Sequence, residues 1–202
     1  MQTLVLSGSR RPEGRTAGLI DALRKGITAA GGDSECIFLP QLDIERCRQC
    51  NDDGWGICRD EGHCIVEDDF DSVVQKINVA DAVVFANPVY FGDLSESMKA
   101  FLDRLRRTRR RRMVRPVANI TRPFNPDDGQ LAIGICYAGG SGNGSTYCCM
   151  LLERTIQICG FDVVDMIPVR RQNMEFKLTL LEQVGKWLVT EPSSSKCALG
   201  PV

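Results

Sequence analysis

Four cysteines fall within a stretch of 18 residues and could together bind a metal. They are spaced as C-x2-C-x7-C-x5-C, at Cys47, Cys50, Cys58 and Cys64. Four thiolates in one compact segment can hold either zinc or a 4Fe–4S cluster. Zinc would be a structural staple, because four cysteine ligands leave no open coordination position, whereas a cluster would transfer electrons. A reduced loop without metal is the third interpretation, and the sequence leaves all three open.

A second segment, residues 7–16 (SGSRRPEGRT), has the composition of a phosphate site. It opens a predicted helix, and the N–H groups and partial positive charge at a helix start favour a phosphate. Ser9 and Thr16 can donate hydroxyl hydrogen bonds, and Arg11 or Arg15 can add positive charge. The segment matches neither G-x-G-x-x-G nor the P-loop, which disfavours a dinucleotide or a nucleoside triphosphate as the tightly held ligand. An ordinary capped turn is the alternative.

Two further loops could enclose a planar ring. Residues 87–95 (NPVYFGDLS) contain two aromatic residues and Gly92, where a flat ligand could approach the backbone. Residues 137–145 (YAGGSGNGS) contain four glycines, whose N–H groups could meet ring carbonyls or nitrogens. Core aromatics and a merely flexible loop are the respective alternatives. Together the three loops predict a phosphate pocket beside a planar-ring pocket, as a mononucleotide cofactor with a fused ring requires.

Alternating strands and helices must position these loops. Apolar runs predict five strands, at 3–6, 35–39, 81–86, 131–136 and 161–167. Apolar residues at helical spacing predict five helices, at 16–30, 69–80, 95–107, 143–159 and 175–189. This alternation indicates an α/β fold in which helices cover both faces of a parallel sheet. Ligands bind at the carboxyl ends of such strands, which is where the three loops begin.

The composition is that of a globular protein that folds without disulfide bonds or a structural metal. The chain has 202 residues, of which 43% are hydrophobic and 25% charged, and no apolar run is long enough to span a membrane. No basic segment precedes the first apolar run, so we expect no signal peptide, a cytoplasmic location and reduced cysteines. We predict one domain over residues 1–189, with a cysteine-rich insert at 40–66, an arginine-rich connection at 107–128 and a disordered tail at 190–202.

An arginine run gives the chain one strongly basic segment. Residues 104–115 contain eight arginines and no acid, so the remainder has a charge of −9 while the whole chain has −1. A solvated, self-repelling helix extension is the simplest interpretation. The run could instead dock an acidic electron carrier such as ferredoxin, or hold the 2′-phosphate of NADPH. Nucleic acid is disfavoured, because no aromatic residues are interleaved with the arginines.

Two stretches resemble a known family. CIVEDDF (64–70) and ADAVVFANPVYFGDLSESMKAFLDR (80–104) are similar to the flavodoxin-like NADPH-dependent FMN reductases, and within them to the iron–sulfur flavoprotein branch. The similarity extends over nearly the whole chain, from Gly8 to Val169. That branch typically places its third cysteine two residues after the second, whereas seven residues (NDDGWGI) separate them here.

The resemblance implies a flavodoxin-like, five-stranded sheet of order 2-1-3-4-5 and a non-covalently bound FMN. It assigns the phosphate to Ser9, Arg11, Arg15 and Thr16. It assigns the isoalloxazine ring to Pro88, Val89, Tyr90, Phe91 and Gly92, with Gly139 and Gly140 across from them. In the branch that it resembles, the four clustered cysteines would bind the 4Fe–4S cluster.

We therefore expect an FMN-dependent oxidoreductase, in which the cofactor supplies the chemistry and no catalytic side chain is assigned. The first hypothesis is an iron–sulfur flavoprotein that passes electrons from a reduced carrier or NAD(P)H through FMN to a small acceptor. The second is an NAD(P)H-dependent FMN or quinone reductase without a metal cluster. The third is a non-enzymatic, FMN-binding redox sensor. A homodimer or homotetramer is expected from the resemblance.

Overall fold

A computed structural model describes residues 1–112 and 130–191 of the chain, although it leaves the side chains of 110–112 undescribed. The strands are β1 (Gln2–Ser7), β2 (Asp33–Phe38), β3 (Ala82–Pro88), β4 (Gln130–Ala138) and β5 (Phe161–Arg170). The helices are α1 (Arg15–Ala29), α2 (Phe70–Val79), α3 (Glu96–Arg112), α4 (Ser145–Ile158) and α5 (Met174–Thr190). All ten elements confirm predicted ones, with ends that differ by a few residues.

The five strands form one parallel sheet in the order β2-β1-β3-β4-β5. This is the flavodoxin-like order that the family resemblance implied, and the structure confirms it. The chain moves outward from β1 to β2 and then crosses back to β3, so the strand order reverses between β1 and β3. Such a switch point leaves a crevice at the carboxyl ends of the two strands, where ligands bind in open sheets.

Helices cover both faces of the sheet because side chains of each central strand alternate between the faces. In β1, Leu4 and Leu6 join the core under α2, α3 and α4, whereas Val5 joins the core under α1 and α5. The middle strand β3 is buried at every position, which explains its near-continuous apolar sequence.

Helix α1 packs closely against α5 at two glycines. A Cβ atom on Gly26 would lie 2.0 Å from the carbonyl oxygen of Glu182, and one on Gly185 would lie 2.1 Å from that of Leu23. The two backbones therefore approach more closely than any larger residue permits. This contact fixes α1, whose first turn follows the predicted phosphate loop.

The predicted cysteine-rich insert is a loop. Between β2 and α2 it contains only two short 3-10 turns, Leu39–Gln41 and Ile57–Arg59. Most of the predicted arginine-rich connection and all but the first two residues of the predicted disordered tail lie outside the described residues. Within residues 1–112 and 130–191, no helix is both long and apolar enough to cross a membrane.

Candidate functional site

The carboxyl ends of β1, β3 and β4 open into a cavity of about 1240 Å³. Residues from all three loops that the sequence singled out border it. Every residue assigned to the cofactor is among them: Ser9, Arg11, Arg15, Thr16, Pro88, Val89, Tyr90, Phe91, Gly92, Gly139 and Gly140. The structure thus brings these eleven residues together, and their individual roles stay predictions.

The end of the cavity below β1 suits an anion. Helix α1 begins there with Gly14 as its N-cap, and no side chain caps its first turn. The Ser9 hydroxyl accepts a hydrogen bond from the Arg11 N–H at 3.3 Å, which folds the loop around it. Ser9 and Thr16 are buried, whereas Arg11 and Arg15 are not, and neither arginine forms an ion pair within the described part of the chain. This end of the cavity is therefore bordered by the uncapped N–H groups of α1, by the hydroxyls of Ser9 and Thr16, and by two arginines without an ion pair among the described residues.

The opposite end of the cavity is bordered by the loops after β3 and β4. Gly144 is in the left-handed region at φ 85°, and a Cβ atom there would lie 2.8 Å from the Gly92 Cα atom. The two loops therefore touch through glycine backbone, which only glycine at 144 allows. The Gly92 and Gly144 positions therefore present backbone without side chains beside the cavity, which a planar ring can approach closely.

Asn87, which the sequence interpretation missed, joins the loop after β3 to helix α4. Its side-chain oxygen accepts hydrogen bonds from the N–H and the hydroxyl of Ser95, both at 3.0 Å. Its amide nitrogen donates to the Pro88 carbonyl at 2.8 Å and to the Cys148 sulfur at 3.4 Å. The residue is fully buried at the end of a central strand. A buried amide must be hydrogen-bonded. An Asn at the end of an otherwise apolar strand could therefore have indicated that this side chain holds neighbouring segments in place.

Three thiols are packed below the same loops. Cys136, Cys148 and Cys149 are buried in the core, as expected for cysteines in apolar segments. A hydrogen bond from the Cys136 thiol lowers the pKa of Cys148 against the effect of burial, and Asn87 adds to this. Hydrogen bonding to Cys148 and Cys149, together with burial, raises the pKa of Cys136.

The aromatic residues of the β3 loop point outward. Tyr90 and Asp93 close a tight turn, in which the Tyr90 N–H donates to the Asp93 carbonyl at 3.1 Å and the Asp93 N–H donates back at 2.9 Å. Tyr90 is 52% exposed and Phe91 is wholly exposed. The alternative that these two are core aromatics is therefore wrong.

The four clustered cysteines border a second, much smaller cavity of about 20 Å³ between the insert and α3. All four are free thiols, half-buried in the loop. Arg48, Arg104 and Arg107 also line this space, and no acidic residue does. Among residues 1–112 and 130–191, no three His, Cys, Asp or Glu side chains are arranged to hold a metal ion. The metal assignment of these cysteines stays a prediction.

Arg104 anchors the insert to α3. Its side chain is 1% exposed and forms a two-pronged ion pair with Asp68, one bond of which measures 3.0 Å. It also donates to the carbonyl oxygens of Glu45 and Val66, at 3.1 and 3.3 Å, and stacks over Phe70. The arginine thus binds both ends of the cysteine-rich insert at once.

Electrostatics reinforce this anchor. Burial alone would raise the pKa of Asp68, but the bond from Arg104 and two backbone N–H bonds hold it below its ordinary value. Burial likewise opposes the charge on Arg104, but the bond to Asp68 and the neighbouring Cys64 raise its pKa. Both groups are therefore charged at neutral pH, and each is the counter-charge of the other.

Two more arginines of the basic run also turn inward. Arg107 donates to the Gly54 carbonyl and stacks on Trp55, with its guanidinium carbon 4.5 Å from the ring centre. Arg109 donates to Gln130 at 2.8 Å and is 7% exposed. The interpretation of the run as a solvated extension is therefore wrong for the arginines at 104, 107 and 109. Sequence alone could not show this, because their partners are distant along the chain.

The sequence of this chain matches a known protein family and several curated proteins. The model of the family described as "NADPH-dependent FMN reductase" matches residues 1–173. An iron–sulfur flavoprotein of Methanocaldococcus jannaschii is 36% identical over 106 residues, and one of Methanosarcina thermophila is 30% identical over 104 residues. Each match spans 52% of this chain and 52% of the relative, so about half of each relative's length is covered.

Solved structures show the same fold. An NAD(P)H:quinone oxidoreductase from Methanothermobacter marburgensis superposes with a TM-score of 0.65 at 20% identity, covering 93% of this chain and 96% of that one. An archaeal flavodoxin superposes with a TM-score of 0.56 at 14% identity, covering 94% and 96%.

The sheet order and the cavity at its switch point define a flavodoxin-like protein. Since the family model matches well over half of the sequence, the chain belongs to the NADPH-dependent FMN reductase family.

We expect Arg104→Ala to lower the free energy of unfolding by about 3–5 kcal/mol, because Asp68 would stay buried without its counter-charge. Arg106→Ala is the matched control, since Arg106 is 43% exposed and pairs with Asp103 on the surface. Its effect should stay below about 1 kcal/mol. Urea unfolding followed by circular dichroism measures both, and equal effects would contradict the anchoring role of Arg104.

Proposed function

We propose that this protein is an FMN-dependent oxidoreductase of the iron–sulfur flavoprotein type. It passes electrons from a reduced carrier or NAD(P)H through FMN to a small acceptor. The observation that carries this proposal is the single cavity bordered by all eleven predicted cofactor residues. Membership of the NADPH-dependent FMN reductase family supports FMN as the cofactor.

The residue types that border the cavity suit FMN. The uncapped start of α1, with Ser9, Thr16 and the two arginines, would hold the phosphate. The glycine-bordered end would hold the isoalloxazine ring between the β3 and β4 loops. FMN supplies hydride and single-electron chemistry when bound. The protein's own residues orient the ring: Asn87 fixes the Pro88 carbonyl, and the Gly92–Gly144 contact fixes the distance between the loops.

For the cysteine-rich insert we propose a redox cluster rather than a structural zinc. Its four thiols border one space and provide the sulfur donor set of a 4Fe–4S cluster. Contacts from Arg104 and Arg107 already hold the insert in place, so the loop has no need of a zinc staple. Relatives that carry the name iron–sulfur flavoprotein add support. We propose Cys47, Cys50, Cys58 and Cys64 as the residues that would hold the cluster.

The principal alternative is an NAD(P)H-dependent FMN or quinone reductase without a cluster. The family description and the fold shared with an NAD(P)H:quinone oxidoreductase favour it. A non-enzymatic FMN-binding redox sensor is the third candidate. A homodimer or homotetramer in the cytoplasm is consistent with each.

An acidic carrier such as ferredoxin is the partner that we propose for the basic run. Because Arg104 and Arg109 are buried, docking would depend on the more exposed arginines, of which Arg106 is 43% exposed. Exposed charges of opposite sign speed encounter and are screened by salt.

Replacing the phosphate ligands should abolish tight FMN binding. We expect Arg11→Ala combined with Thr16→Ala to weaken FMN about a hundredfold, because a charged and a neutral hydrogen bond to the phosphate are lost. Arg24→Ala is the matched control on α1, since Arg24 donates to Ser34 and does not border the cavity. Quenching of flavin fluorescence on titration measures the affinity. An unchanged Kd in the double variant would refute the phosphate assignment.

Anaerobic kinetics separate the three candidate functions. We expect reduced ferredoxin to reduce the bound FMN quickly, at a rate that falls steeply with salt and with Arg106→Glu. We expect NADPH to reduce the bound FMN only slowly under the same conditions. Fast NADPH oxidation with no response to salt would favour the cluster-free reductase, and turnover with neither donor would leave the sensor.

A further inference from the structure

Cys136 and Cys148 form a pair of buried thiols that the proposed electron transfer does not use. Cys136 lies near the end of β4, and Cys148 lies at the end of the first turn of α4. The Cys136 thiol donates a hydrogen bond to the Cys148 sulfur, and both side chains are wholly buried. The two sulfurs of a disulfide lie about 2.0 Å apart, so thiols already in hydrogen-bonding contact need only a small movement to form one.

The sulfur of Cys148 is more reactive than that of an ordinary core cysteine. It accepts a second hydrogen bond, from the Asn87 amide nitrogen at 3.4 Å. The bonds from Cys136 and Asn87 lower the pKa of Cys148, although burial opposes this. By contrast, burial raises the pKa of Cys159, at the other end of α4, to about 12. The thiolate is the nucleophilic form of cysteine, so Cys148 is the favoured nucleophile of the two.

A third thiol, Cys149, also forms a hydrogen bond with Cys136. Adjacent residues on a helix do not face each other, which disfavours a bond between Cys148 and Cys149. The partner of Cys136 is therefore one of these two. Because the Asn87 bond favours the thiolate of Cys148, we assign Cys148 as that partner.

This thiol pair lies one contact away from the cavity proposed for FMN. Asn87, which bonds to the Cys148 sulfur, also bonds to the carbonyl of Pro88, and Pro88 borders the cavity. The Cys148 N–H donates at 2.9 Å to the carbonyl of Gly144, which borders the cavity as well. Brief local opening of these loops would admit hydrogen peroxide, which is nearly as small as water, but not a bulky oxidant.

We propose that Cys136 and Cys148 are a reversible disulfide site that hydrogen peroxide oxidises, with Cys148 as the attacking residue and Cys136 as the resolving one. This inference goes beyond the proposed electron transfer and is independent of its donor and acceptor. The disulfide would span the loop after β4, which contains the predicted ring contacts Gly139 and Gly140. Oxidation would therefore constrain the backbone beside the proposed ring.

The reaction balances with hydrogen peroxide as the oxidant and the two thiols as the reductant. The Cys148 thiolate attacks one peroxide oxygen, the O–O bond breaks, and hydroxide leaves, so Cys148 becomes a sulfenic acid. The hydroxide takes up the proton that Cys148 had released. The Cys136 thiol then attacks the Cys148 sulfur, an S–S bond replaces the S–O bond, and water leaves. Overall, two thiols and one peroxide give one disulfide and two waters.

Peptide mapping tests this pairing directly. Protein saturated with FMN is treated with a small molar excess of hydrogen peroxide, alkylated under denaturing conditions and digested with chymotrypsin. Tyr137 and Tyr147 both lie between the two cysteines, so cleavage after them separates Cys136 from Cys148. We expect mass spectrometry to find the two peptides linked, and dithiothreitol to separate them. Oxidised glutathione, a bulky oxidant, should give about tenfold less of the linked product.

Serine variants identify the role of each thiol. Cys148→Ser keeps a hydrogen-bond acceptor for Asn87 but cannot form the disulfide, and we expect it to lower the linked product about tenfold. Cys136→Ser should instead leave Cys148 as a sulfenic acid, which dimedone labels after denaturation. Cys159→Ser is the matched control, since Cys159 is equally buried, and its yield should equal that of the wild type.

Three results would overturn the proposal. Absence of the linked peptides in the peroxide-treated wild type would make the thiols purely structural, and this result needs no variant to fold. An unchanged yield in Cys148→Ser would assign the bond to Cys149. An equal yield with oxidised glutathione would show that burial does not select the oxidant. Binding of FMN enters none of these readouts and is measured by its own titration, so failure of the disulfide leaves the proposed function standing.

Discussion

The buried ion pair between Arg104 and Asp68 joins the two functional regions of this protein. Arg104 lies in α3, the helix that starts beside the flavin cavity, and it binds backbone at both ends of the cysteine-rich insert. Removing either charge would leave the other buried without compensation, which is far more costly than losing a surface pair. The position of the four cysteines relative to the sheet therefore depends on this contact.

The flavin cavity follows from a different constraint. In a parallel sheet the carboxyl ends of neighbouring strands meet at one edge, so the loops after β1, β3 and β4 converge there. Residues as far apart in the sequence as Ser9 and Gly144 thereby border the same cavity. Asn87 and the Gly92–Gly144 contact then hold the loop after β3 against α4 and against the loop after β4.

The sequence predicted those features that depend on residues close to one another along the chain. Five strands, five helices and three glycine-containing loops follow from hydrophobic spacing and turn chemistry, and the structure confirms them. The inward arginines did not follow, because Asp68 and Gly54 lie 36 and 53 residues from their partners. Met174 borders the cavity only because α5 packs beside α1, which no local pattern reveals. Phe91 was expected at the ring site, but its full exposure depends on the turn geometry.

The proposed function requires one chain to hold both FMN and a sulfur-ligated redox centre. Anaerobic purification, followed by a visible spectrum and by assays of iron, acid-labile sulfide and zinc, measures both groups in the same preparation. We expect flavin absorption together with about four irons and about four sulfides per chain. Flavin with zinc, or flavin without any metal, would contradict the cluster, and a colourless protein that cannot be loaded with FMN would contradict the proposed function altogether.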